Sequence, residues 1–172
     1  MKRLILLAAL LFSTAAEAQT VCVILNGGAT AVLQAVPCGP TYNPPATTVN
    51  TSDARWTTFL ALQNIQTTAA GLLQTGVTMT FSGTPAATDS YPATADGLQA
   101  LLNIYTGNTA IKGNAVVSVQ GNSGPHSIGA QAFKDLYRAV SDYNAAVLAA
   151  QATAIATATA PVWPVATATS NH

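Results

Sequence analysis

The chain has 172 residues, of which 49% are hydrophobic and only 7% are charged, with six basic and six acidic residues. So few charges argue against a nucleic-acid-binding surface, which needs clustered Lys and Arg to neutralise phosphates. They argue equally against an electrostatic membrane anchor. Because a nearly neutral surface gives little charge repulsion between molecules, self-association is expected.

The first eighteen residues, MKRLILLAALLFSTAAEA, predict a signal peptide. Lys2 and Arg3 precede an apolar run from Leu4 to Phe12, and a small-x-small cleavage site ends at Ala18. The apolar run is shorter than the ~20 residues that span a bilayer. We therefore expect cleavage after Ala18 and a periplasmic or secreted protein without a stable membrane anchor.

Residues 19–38 predict a β-hairpin tethered by a disulfide. Two apolar, β-branched segments flank Asn26-Gly27-Gly28, and Asn-Gly favours a tight turn. A turn centred on Gly27 places Cys22 opposite Val32, so a Cys22–Cys38 bond would tie the following segment across the open end of the hairpin. Pairing is expected in an exported chain, and two buried free thiols are the alternative.

A proline-rich segment, residues 39–51, predicts a linker, and residues 52–160 predict an α+β domain. Ser52 is placed to cap a helix that runs to about Thr75 and ends at Gly76. The alternating segment from Val77 to Phe81 predicts a half-buried strand.

The second half of this domain predicts a short helix, a strand and a long helix. Thr94 or Ser90 would cap the short helix, Val116, Val117 and Val119 form the strand, and the long helix runs from about Gly129 to Pro161. Residues 161–172 predict a flexible tail, in which Trp163 is the aromatic residue expected to be most exposed and a candidate partner anchor. The fold class is therefore α+β, with a small antiparallel sheet, two longer packed helices and the N-terminal hairpin.

The segment from Gly121 to His126 invites comparison with a serine-protease nucleophile loop. Such catalysis needs Ser123 to be activated by a base such as His126, which a third group must orient. Asn122 replaces the acid expected beside that nucleophile. A turn after a strand explains the same residues, so no catalytic residue is assigned.

The acids are scattered along the chain. Asp89 and Asp96 could form a carboxylate pair for acid–base chemistry, but local turn and capping roles are favoured. Asp135 and Arg138 lie three residues apart on the long helix, which favours a solvated ion pair. We expect no metal site, because the chain has only two His and two Cys that can pair with each other. We expect no cofactor site either, because the sequence has no phosphate-binding glycine motif.

Aromatic residues offer one further candidate. Trp56, Tyr137 and Tyr143 could form a ligand-binding patch, although their helical spacing favours packing in the core.

Residues 56–152 carry an ordered series of parts. A helix leads into Gly76–Phe81, a glycine turn is followed by Thr88-Asp89, and a short helix carries Leu98, Leu101 and Leu102. Val116–Val119 and a long Ala-rich helix around Ala139-Val140 complete the series. This order resembles an uncharacterised domain near the C-termini of bacteriophage tail-fibre and other tail-associated proteins. The resemblance implies an α+β module of structural or binding type, with no catalytic residues to carry over.

The sequence thus predicts an exported, non-enzymatic structural or binding protein, either prophage-derived or surface-associated. Its partner would be an unidentified protein or a second copy of the chain. One alternative is a virion tail-associated component that retains its N-terminal apolar helix. Another is a cryptic secreted hydrolase that uses Ser123, His126 and an Asp.

Overall fold

The computed structural model describes residues 19–39, 46–83, 86–107 and 116–172, and the α+β fold class is confirmed. The predicted signal peptide and the segment 40–45 of the predicted linker lie outside the described residues. The chain divides into two compact units, Met1–Leu60 and Ala61–His172. In chain order the described elements are β1 (Thr20–Leu25), β2 (Val32–Val36), β3 (Thr47–Asn50), α1 (Ala54–Thr75), β4 (Val77–Phe81), β5 (Ala87–Tyr91), α2 (Ala95–Gly107), β6 (Val116–Gly121), β7 (Gly124–Gly129), α3 (Ala130–Thr157) and β8 (Thr167–Ser170).

The first unit is an antiparallel sheet in the order β2-β1-β3. Its small core consists of Val23, Val32 and Val49, one from each strand. Trp56 and Phe59, in the first turns of α1, pack against this core and stack on each other with ring centroids 5.5 Å apart. The predicted hairpin is confirmed, and β3 is added to it.

The hairpin loop differs from the predicted Asn-Gly turn. Cys22 lies opposite Val36 and not Val32, because the loop extends from Asn26 to Ala31. The Asn26 side chain braces it, since its Oδ1 accepts hydrogen bonds from the amides of Thr30 (2.8 Å) and Ala31 (3.1 Å). The loop is therefore stabilised by hydrogen bonds to the Asn26 side chain and not by a tight Asn-Gly turn.

The disulfide between Cys22 and Cys38 is confirmed, with Cα atoms 5.2 Å apart. It joins the middle of β1 to the residues that follow β2. The predicted linker is wrong for its second half, because Thr47–Asn50 is the strand β3. The repeated Thr residues give this short strand little hydrophobic signal, and its pairing with β1 supplies the hydrogen bonds that define it.

Helix α1 begins one residue later than Ser52 suggests. The carboxylate of Asp53 accepts a hydrogen bond from the Arg55 amide (2.8 Å) and is therefore the capping group, while Ser52 donates to Asn50. The Arg55 side chain also bonds this carboxylate and lowers the pKa of Asp53 to about 2. Gly76 ends the helix as predicted, with a φ of +70° and no room for a side chain beside the Tyr91 carbonyl.

The second unit contains a mixed sheet, a separate hairpin and three helical segments. Strand β4 pairs antiparallel with β5 and parallel with β8, while β6 and β7 form the hairpin. Thr94 caps α2, as its hydroxyl accepts from the Gly97 amide, whereas Ser90 lies in β5. The buried face of α3 carries Phe133, Leu136, Val140, Tyr143 and Val147. Further along the helix, Ala154 is buried and Ile155 is exposed.

The prediction of a flexible tail over residues 161–172 is wrong for Thr167–Ser170, which form a strand. Strand β8 pairs with β4, and the buried hydroxyl of Ser170 donates to Asp135 Oδ2 at 2.8 Å. Trp163 is half-buried against the core of this unit, while its neighbours Val162 and Val165 are 90% and 81% exposed. Because Tyr105 is 43% exposed, Trp163 is not the most exposed aromatic residue, and its role as a partner anchor stays a prediction.

No helix within the described ranges is long and apolar enough to cross a membrane.

We expect reduction of the disulfide to destabilise the first unit by about 3 kcal/mol, the cost of opening a loop of this size in the chain-entropy model. Trp56 reports on this unit if Trp163 is replaced by Phe. Urea unfolding followed by Trp fluorescence, with and without reductant, measures the loss.

The matched control is the double variant Cys22→Ala, Cys38→Ala in the same background. It should show the lower stability without reductant and no further change when reductant is added. Equal stability of the oxidised and reduced proteins would contradict the prediction.

Candidate functional site

A concentrated group of polar side chains surrounds Asp89 in the second unit. This residue lies in the middle of β5, and the strand's alternation directs Asp89 and Tyr91 inward while Thr88 and Ser90 are more exposed. The carboxylate is almost fully buried, with 3% side-chain exposure. A buried carboxylate is stable only if hydrogen-bond donors replace the lost water.

Three of those donors come from the β6–β7 hairpin, and a fourth comes from β5 itself. The Ser123 hydroxyl donates to Asp89 Oδ1 at 2.9 Å, and the Ser123 amide lies 3.1 Å and 3.0 Å from the two carboxylate oxygens. His126 Nε2 lies 2.8 Å from Oδ2, and the Ser90 amide lies 2.7 Å from Oδ1. Two segments far apart in sequence therefore meet at one carboxylate.

The hairpin tip approaches this closely because Gly121 has no side chain. A Cβ at Gly121 would overlap Asp89 Oδ2. The next residue adds backbone contacts, since the Asn122 amide donates to the Ser90 carbonyl at 2.9 Å. The turn is therefore fastened to β5 by side-chain and main-chain bonds together.

The electrostatics of the group favour an ionised Asp89. Burial alone would raise the pKa of Asp89, but the hydrogen bonds from His126, Ser123 and Ser90 outweigh it and hold that pKa below its ordinary value of 3.8. An ionised carboxylate only accepts hydrogen bonds, so the facing Nε2 of His126 must carry a proton.

Tyr91 completes the group on its buried side. Its ring meets His126 and Phe81 edge to face, with centroids 6.3 Å and 6.1 Å away. Burial and the nearby charge of Asp89 raise the pKa of Tyr91 to about 12, and its hydroxyl has no hydrogen-bond partner among the residues that the structure describes. The phenol is therefore neutral across the physiological pH range.

The arrangement brings Ser123 and His126 together with an acid, but in a different order from a catalytic triad. In a triad the histidine lies between serine and carboxylate, so that it can take the serine proton. Here Asp89 lies between the other two and accepts from both. A carboxylate with a lowered pKa is a weak base, so this order does not activate the Ser123 hydroxyl.

The remaining candidates are separated. Asp96 lies in the first turn of α2, where the helix dipole favours an acid, and not beside Asp89. Asp135 bonds Ser170 and Gln131, so the expected ion pair with Arg138 is wrong. Among the described residues there is no group of three His, Cys, Asp or Glu side chains that could hold a metal ion.

The predicted aromatic patch does not form as a unit. Trp56 stacks on Phe59, Tyr143 is buried in the core of the second unit, and Tyr137 stacks on Tyr105. The sequence does not identify Asp89 as a central group, because local turn and capping roles are favoured for it there. The available signal was an acid at an inward position of an alternating strand, between Ala87 and Tyr91.

We expect Asp89→Asn to destabilise the second unit by about 3 kcal/mol. The substituted side chain lacks the negative charge, and its NH₂ group would face the hydrogen-bond donors of Ser123 and His126. Since the folded pKa of Asp89 is lowered, this difference is fully present above pH 3.8 and shrinks as the pH falls through the lower folded value. Urea unfolding at pH 7 and at pH 3 measures both effects.

Asp142→Asn removes an exposed acid from α3 and is the control, which should shift stability by no more than about 0.5 kcal/mol at pH 7. The structural role of Asp89 is contradicted if its variant costs no more than this control.

Comparisons of the chain with protein-family models, with curated proteins and with solved structures gave no match. The resemblance to a phage tail-associated domain therefore stays a prediction. The geometry around Asp89 and the surface of the second unit are what remains to support a function.

Proposed function

We propose that this chain is an exported protein that acts by binding or assembly and not by catalysis. The observation that carries the proposal is the position of Asp89 between Ser123 and His126. This cluster has the residue types of a hydrolase but is arranged to fasten a hairpin, and the Ser123 hydroxyl donates to the weakly basic Asp89 and not to His126.

The proposed compartment is supported by the disulfide. Cys22 and Cys38 are bonded, and such bonds persist in oxidising compartments such as the periplasm or the extracellular space. The signal-peptide pattern in residues 1–18 agrees with the same route.

A secreted hydrolase is the second candidate, because Ser123 and His126 do contact one carboxylate. A fluorophosphonate probe distinguishes the two functions, since it reacts only with an activated serine. We expect no labelling of the protein under conditions that label a serine-protease standard fully, as judged by intact-mass spectrometry.

Labelling that disappears in Ser123→Ala and persists in Ser127→Ala would overturn the non-enzymatic proposal. Ser127 is the matched control because it is an exposed serine on the same hairpin.

Export is tested by expressing the full chain in a Gram-negative host and measuring the intact mass of the protein in the periplasmic fraction by mass spectrometry. We expect an N-terminus at Gln19. Leu7→Arg should abolish export by interrupting the apolar run, while Leu7→Ile should not. A protein that keeps Met1 and stays in the cytoplasmic fraction would contradict export.

A further inference from the structure

A second polar surface lies away from Asp89, in the groove between α2 and α3. Its volume is about 340 Å³, which falls at the lower end of the ~300–1,000 Å³ typical of small-ligand sites. The lining combines two aromatic rings, two cations and two polar groups: Tyr105, Lys134, Tyr137, Arg138, Ser141 and Asp142.

The aromatic part is an exposed platform. Tyr105 and Tyr137 stack with centroids 5.5 Å apart and planes inclined by 11°. Tyr105 is 43% exposed, and Tyr137 is half-buried beside it. The face of an aromatic ring carries a negative quadrupole, which attracts the C–H bonds of a ligand ring.

The charged part is a pair of neighbouring cations. Lys134 and Arg138 are four residues apart on one face of α3, a spacing at which like charges repel. Neither forms an ion pair among the described residues, and the nearby Asp135 is engaged by Ser170 and Gln131. Asp142 lines the same groove, but its single negative charge offsets only one of the two cations, so the charge of these lining residues stays positive.

We propose that this groove binds an acidic saccharide, with a sugar ring on the tyrosine platform and its carboxylate or sulfate group on Lys134 and Arg138. The proposal rests on the proposed function, because it names the ligand class of a binding protein.

The surroundings favour a sugar over a peptide. The described lining residues lie on two helices and offer no strand edge for an extended peptide to pair with. The charged and hydroxyl side chains in the lining do not suit the apolar face of a docking helix. A ring with an apolar face, hydroxyl groups and one anionic group matches all three parts of the lining.

Calorimetry on the mature protein tests the proposal with four probes: a galacturonate tetrasaccharide, a sulfated tetrasaccharide, neutral maltotetraose and tetraglutamate. We expect an acidic tetrasaccharide to bind, and the tighter of the two identifies carboxylate or sulfate as the anionic group. Maltotetraose and tetraglutamate should bind at least about tenfold more weakly, since each lacks one of the two features.

Tyr105→Ala should weaken binding by about tenfold, and Tyr105→Phe should retain it, because stacking needs the ring alone. Replacing both Lys134 and Arg138 by Gln should remove the preference over maltotetraose. Arg55→Gln is the matched control, since it removes a cation from the first unit and should leave binding unchanged. Circular dichroism checks that each variant is folded.

The groove assignment is overturned if neither acidic tetrasaccharide binds, if the groove variants bind as tightly as the native protein, or if tetraglutamate binds equally well. Chromatography of the bound saccharide separates this result from the proposed function. Cleavage products would overturn the non-enzymatic function while leaving the site in place, and failure to bind would leave the non-enzymatic function standing.

Discussion

The arrangement of the second unit depends on one buried carboxylate. Asp89 has lost nearly all contact with water, and its oxygens are satisfied by donors from β5 and from the tip of the β6–β7 hairpin. The hairpin is not part of the mixed sheet, so these bonds hold the two together at this point. The same constraint explains why position 121 is a glycine, because any side chain there would occupy the space of the carboxylate.

The elements that depend on local signals could be predicted from the sequence. The long helices show a three- to four-residue apolar repeat, and Gly76 supplies the positive φ that ends α1. The pairing of the two cysteines follows from the predicted export of the chain. Strands β3 and β8 could not be predicted, because each has four residues built mainly from Thr, Ala or Ser. Only their pairing with β1 and β4 makes them strands.

The candidate site shows the same division between local and distant information. Ser123 and His126 stand close together in sequence and were recognisable as a pair. Their acid is Asp89, 34 residues before Ser123, and the contact depends on where the hairpin tip meets β5. Even with the three residues known, the sequence does not say which one lies in the middle. That order decides between activating a hydroxyl and anchoring a turn.

The parallel pairing of β8 with β4 has a consequence for the order of folding. Thr78 pairs with Thr167, so the last strand of the chain completes a sheet that begins near its middle. Contacts this distant in sequence carry a large loop-closure entropy and form late. Until then β4 has one open edge with unpaired backbone groups, the surface through which strands of different molecules pair. For a chain with so few charges to keep molecules apart, we expect aggregation to compete with folding chiefly before β8 pairs with β4.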